Sequence, residues 1–107
     1  MADLERSAGM LEALGKPVRL AIYRLLVRAG DAGLPVGRIQ DAMQMPASTL
    51  SHHLKHLETA GLVRRRKDGV THFCSANYAS MDALIEFLTE ECCADAEAEP
   101  VSHRHTP

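Results

Sequence analysis

Tryptophan is absent, and two phenylalanines and two tyrosines make up all the aromatic content, so the core must be built mainly from Leu, Ile, Val, Ala and Met. No apolar stretch nears the roughly 20 residues of a membrane span. The start, Met1-Ala2-Asp3-Leu4-Glu5-Arg6, has neither the basic opening nor the apolar run of a signal peptide, so a cytoplasmic protein with no membrane partner is expected. Three cysteines in a reducing compartment, an odd number, argue against a disulfide framework and for reactive or ligand thiols. The chain also lacks an overall basic excess, with a formal net charge of −2. At 107 residues it is one domain with a modest core, and sharing surface with a second copy is expected. With 46% apolar and 24% charged residues, it is not disordered throughout.

The charge that is present is unevenly placed. Between His52 and His72, Lys55, Arg64, Arg65, Arg66 and Lys67 face only Glu58 and Asp68. From Met81 onward, Asp82, Glu86, Glu90, Glu91, Asp95, Glu97 and Glu99 face only Arg104. Such polarity turns the basic end toward a phosphate field and the acidic end away from it.

Leu4, Ala8, Leu11 and Leu14 recur at helical spacing up to Gly15. Pro17 suits the first turn of a second helix carrying Leu20, Ala21, Ile22, Leu25 and Leu26 and ended by Gly30. Residues 31–35 read as a loop, and Val36, Ile39 and Met43 mark a short third helix. A fourth starts near Pro46 and Ser48, carries the stripe Leu50, Leu54 and Leu57, and stops at Gly61. Strands at 62–67 and 70–76 flank a tight turn at Asp68-Gly69. A last helix is expected from Ser80 as N-cap, with Met81, Leu84, Ile85 and Leu88 on one face and Cys92 and Cys93 in its final turn. The fold class is therefore mainly α with a small β-hairpin wing, a homodimeric winged helix-turn-helix over 1–94 followed by a disordered tail over 95–107.

With Leu50 turned inward, the 3.6-residue period sets Ser48, His52, Lys55 and Thr59 on the outer face of the fourth helix, flanked by Ser51 and His56. Hydroxyls and imidazoles there suit base edges in a major groove. Arg64, Arg65, Arg66 and Lys67 alternate between strand faces, so that some reach phosphate and others only solubilise an edge strand.

The run Ser48-Thr49-Leu50-Ser51-His52-His53-Leu54-Lys55-His56-Leu57-Glu58-Thr59-Ala60-Gly61-Leu62-Val63, preceded by Leu14-Gly15-Lys16-Pro17-Val18-Arg19-Leu20 and followed by Asp68-Gly69, resembles the ArsR/SmtB family of winged-helix repressors. The resemblance implies a homodimer built on the first and last helices that leaves a pseudo-palindromic operator when an inducer binds. It also implies base-facing roles for Ala47, Ser48, Ser51 and His52, with Thr49 and Lys55 beside them on the DNA-binding helix.

Adjacent thiols can capture a soft ion or exchange with a disulfide. Glu91-Cys92-Cys93 resembles a branch of arsenic-responsive repressors with a Cys-Cys pair at this place. The resemblance also implies sites used by other branches of the family, a Cys-x-Cys arsenic motif on the third helix and Asp, His and Glu zinc ligands on the last, but here the third helix has no thiol and the last has Asp82 and Glu86 but no histidine. Trivalent arsenic, as arsenite or methylarsenite, is the expected inducer, and antimony(III) satisfies the same chemistry; no resident cofactor is required. Arsenite prefers three sulfurs, which leaves Cys74 as either a third ligand or a small core residue. A redox or electrophile sensor and a metal(II)-responsive repressor remain alternatives; His52 and His56 have the i, i+4 spacing of a two-histidine metal site but lie on the face assigned to DNA. His103 and His105 could bind metal adventitiously. An enzyme is not expected, because the thiols follow Glu90 and Glu91 with no helix N-terminus to acidify them.

Overall fold

A computed structural model describes residues 2–96. The elements run α1 (Ala2–Leu14), α2 (Pro17–Ala29), β1 (Leu34–Pro35), α3 (Val36–Met43), α4 (Ala47–Thr59), β2 (Val63–Asp68), β3 (Thr71–Ala76) and α5 (Tyr78–Thr89). The expected tail lies outside the described residues beyond 96, as do His103 and His105; Asp95 and Ala96 belong to a turn in which the Ala96 N–H donates to the Cys93 carbonyl.

Periodicity explains the helical layer. Ile22 and Leu26 on α2, Ile39 on α3, and Leu50, Leu54 and Leu57 on α4 are completely buried together with Leu62. Met10 and Ala13 of α1, Ala76 of β3 and Leu84 of α5 close the same cluster. Gln44 takes a left-handed conformation (φ 51°) and returns its N–H to the Gln40 carbonyl. That cap ends α3 within one residue, and Pro46 then opens α4.

The wing differs from the sequence expectation in three ways. The sheet has three strands in the order β1-β3-β2, because residues expected to be only loop supply a two-residue strand pairing Leu34 with Cys74 and Pro35 with Phe73. Asp68 pairs with Thr71, so the two-residue turn is Gly69-Val70 rather than Asp68-Gly69. Gly69 has φ +66° and Val70 is not among the positive-φ residues, which fits a hairpin that needs a left-handed residue only at its first central position. Accordingly β2 begins at Val63 and β3 at Thr71.

α5 starts at Tyr78, with Asn77 rather than Ser80 as its N-cap. The Asn77 Oδ1 accepts from the Ser80 N–H at 3.3 Å, and its Nδ2 donates to the Gly61 carbonyl at 3.0 Å. The helix ends at Thr89, so Cys92 and Cys93 lie in the turn beyond it and not in its final turn.

Gly33 (φ +72°) faces β3 so closely that an added Cβ would collide with the Cys74 carbonyl oxygen, whereas nothing stands near Gly37 on α3. Gly33→Ala should therefore lower stability by about 1–3 kcal/mol, and Gly37→Ala should raise it by up to about 1 kcal/mol. Urea midpoints at unchanged m-value check both, and equal midpoints would contradict the crowding at Gly33.

Candidate nucleic-acid interface and thiol site

Burial of Leu50, Leu54 and Leu57 decides what α4 presents to solvent: Ala47, Ser48, Thr49, Ser51, His52 and Lys55 are all exposed. Pro46 provides no side-chain cap, so the first-turn N–H groups of α4 are left uncapped, in a turn that also carries the exposed Ser48 and Thr49. Such a helix start attracts phosphate. The His52 ring meets His56 edge-on with centroids 4.7 Å apart and His53 at 5.6 Å. Among the described residues no group of three or more His, Cys, Asp or Glu could hold a metal ion.

The His53 Nδ1 is buried without a hydrogen-bond partner. Desolvation, then the charges of Arg19, His52, Lys16 and His56, hold its pKa below the ordinary value. His56 is lowered by desolvation, Arg19, His52 and Lys16, with Glu12 opposing.

The wing divides its four cations by task. Arg65 binds the Glu58 carboxylate at 2.8 Å through Nη2 and 3.1 Å through Nε, tying β2 to the end of α4. Arg66 lies 4.5 Å above the Phe73 ring and donates to the Ala32 carbonyl at 3.3 Å. Arg64 and Lys67, also exposed, make no ion pair or side-chain hydrogen bond among the described residues. Sequence alternation separated the two faces of β2 but gave no sign of these intramolecular partners.

At the other end of the molecule the Cys92 and Cys93 sulfurs lie 3.4 Å apart and are exposed. The turn that holds them is fixed by the Cys92 N–H donating to the Thr89 carbonyl at 2.9 Å and by the left-handed backbone of Cys93 (φ 63°). The hydrogen bond to Cys92, with desolvation and the neighbouring thiol adding to it, pushes the Cys93 pKa up. A cleft of about 660 Å³ runs beside Cys92 between Leu4 of α1 and Phe87 and Leu88 of α5. Cys74, by contrast, is completely buried in the central strand, and burial raises its pKa.

A recognition helix with an exposed outer face, preceded by a tight turn and followed by a basic hairpin, defines a winged helix-turn-helix DNA-binding protein. Comparison with known proteins agrees. Residues 14–66 match a helix-turn-helix domain family. An uncharacterized HTH-type transcriptional regulator of Methanocaldococcus jannaschii is 40% identical over 73 residues, which cover 68% of this chain and 80% of that one. The arsenical resistance operon repressor of Staphylococcus aureus is 44% identical over 79 residues, covering 74% and 73%. Among solved structures, the homodimeric winged helix-turn-helix DNA-binding domain of a possible ArsR-family regulator from Mycobacterium bovis superposes with a TM-score of 0.66 at 27% identity, covering 92% and 91%. The chain belongs to the ArsR family of winged-helix transcriptional regulators.

His53 has a consequence for stability. Its folded-state pKa lies below 6.5, so between the two values the unfolded chain binds more protons, and stability falls as pH drops through that window. The urea midpoint of the free protein should be lower at about pH 5.5 than at about pH 7.5. His53→Gln should remove part of the difference; an unchanged pH dependence in that variant would assign the effect elsewhere.

Proposed function

We propose that this regulator is a homodimeric repressor of arsenic-resistance genes that leaves its operator when trivalent arsenic binds Cys92 and Cys93. The carrying observation is the pair of exposed sulfurs 3.4 Å apart in one turn. With bonds of about 2.3 Å, the length of zinc–thiolate bonds, one ion bridges that gap at an angle of about 95°, narrower than the tetrahedral angle and suited to a pyramidal trivalent ion. The name of the Staphylococcus aureus relative points in the same direction.

In this reading Cys74 is a core residue. Its sulfur is enclosed and its proton tightly held, so two sulfurs bind the ligand. Methylarsenite or its antimony counterpart then needs no further protein thiol, and arsenite completes its shell with a small thiol. Leu4 and Leu11 on α1 and Ile85 and Leu88 on α5 are all exposed and supply the apolar surface on which two copies would join. The homodimeric Mycobacterium bovis relative supports that assembly. On DNA, Ala47, Ser48, Thr49, Ser51, His52 and Lys55 enter the groove while Arg64 and Lys67 take phosphates.

Fluorescence anisotropy on promoter DNA under reducing conditions tests the inducer. Arsenite and methylarsenite should release the wild type but not the Cys92→Ser/Cys93→Ser double variant. If neither arsenical releases protein that demonstrably binds, the arsenic reading fails and oxidants become the next ligands to test.

The DNA contacts have their own signature. Arg64→Gln and Lys67→Gln should each weaken binding to all sequences alike and reduce the log–log salt slope by about 1. Arg65→Gln, which loses the Glu58 pair, should lower folding stability with a smaller change in slope.

A further inference from the structure

Arg19 is a charged residue 5% exposed, on the inner side of α2, and its Nε has no hydrogen-bond partner. Burying a cation without an anion is costly, and buried polar groups nearly always find partners. Arg19 also lines a cleft of about 630 Å³ between the end of α1, the start of α2 and the C-terminal half of α4. Lys16, His56, Thr59 and Glu12 line it too. Glu12 is the carboxylate there, and it forms no ion pair with Arg19, Lys16 or His56 among the described residues. Two permanent cations thus face one carboxylate, with an imidazole and a hydroxyl as further donors. Lys16 precedes α2 without a side-chain cap, so Lys16 and Arg19 flank an uncapped helix start, whose dipole adds positive potential there.

We propose that this cleft is an oxyanion site that takes a phosphate group on Arg19 and Lys16, with His56 and Thr59 completing it. A guanidinium fork suits a phosphate better than it suits a single chloride. The position suggests the source. His56 stands one turn from His52, with ring centroids 4.7 Å apart, so the cleft adjoins the outer face of α4. A backbone phosphate of bound DNA is the favoured occupant, and this choice rests on α4 reading DNA. A free phosphate or phosphoester has the same chemistry and would make the cleft an effector site instead.

The test uses the full 15N-labelled chain and follows the Arg19 Nε–Hε resonance, assigned by its loss in Arg19→Lys. If that variant does not fold, the exposed Lys16→Gln carries the comparison. Inorganic phosphate should move the Arg19 signal saturably, beyond sodium chloride at equal ionic strength, and Lys16→Gln should weaken that response several-fold. Promoter duplex should move the same signal, and Lys16→Gln should reduce the salt slope of DNA binding by about 1. A phosphate response with the DNA slope unchanged would keep the oxyanion site and assign it to a free phosphate. A signal insensitive to phosphate, or one that follows chloride equally, overturns the proposal. Failure of α4 as the DNA reader would look different: the duplex would not bind, while the phosphate titration would still report on the cleft.

Discussion

Leu50, Leu54 and Leu57 are each withdrawn completely from solvent, and because they occupy one stripe of α4 their burial fixes the rotation of the whole helix. Each contributes about 1.5–3 kcal/mol, a large share of the 5–15 kcal/mol that holds a typical domain together. A turn of the helix by one residue would swing a leucine out by about 100° and carry Ser48, Ser51 and His52 toward the core. The outer face of α4 is thus set from the inside, by residues that would never touch DNA. The neighbouring layer enforces the same rotation, since Ile22, Leu26 and Ile39 fill the space against which the stripe packs.

The same core is joined to α5 at Asn77. Its backbone N–H donates to the Leu62 carbonyl, its amide donates to the Gly61 carbonyl, and its side-chain oxygen caps α5. The next residue, Tyr78, donates its hydroxyl to the Val27 carbonyl at 2.7 Å. One dipeptide therefore joins the end of α4, the base of the wing, the end of α2 and the start of α5. From this junction α5 extends twelve residues, about 18 Å, to the turn that holds the thiols. The start of α5 is thus connected to the end of α4 through a short set of directional bonds, a contiguous physical link between the two elements.

Local patterns were legible in the sequence; long-range pairings were not. The leucine stripe, the glycine stops and the hairpin all have signatures within a few residues, and each element formed close to where its pattern lies. β1 had none, because two residues become a strand only by meeting Cys74 and Phe73 some forty positions away. Ser80 looked like a cap because capping residues cluster there, yet Asn77 won by bonding Gly61 as well as Ser80. Arg19 was missed as a site for a different reason. Its spacing to Ile22, Tyr23 and Leu26 is i+3, i+4 and i+7, the buried stripe of α2, and only its charge drew attention away from that position. The dividing of the wing cations between intramolecular and solvent-facing tasks likewise depends on where Glu58, Phe73 and Ala32 come to rest.

The setting of the two thiols also bears on which chemistry they favour. Thiol–disulfide exchange and peroxide attack proceed through the thiolate. Here the hydrogen bond between the sulfurs, with desolvation and the neighbouring thiol adding to it, raises the Cys93 pKa, so a thiolate on Cys93 is disfavoured. Capture of trivalent arsenic obeys a different balance. Arsenous acid and two neutral thiols condense to two arsenic–sulfur bonds, each thiol proton leaving with a hydroxyl as water, and no net charge is created or destroyed. The raised Cys93 pKa therefore bears on thiolate chemistry and leaves the equilibrium for metalloid capture untouched. In the proposed reading the two sulfurs 3.4 Å apart act as a chelate, a role that this balance permits without a thiolate.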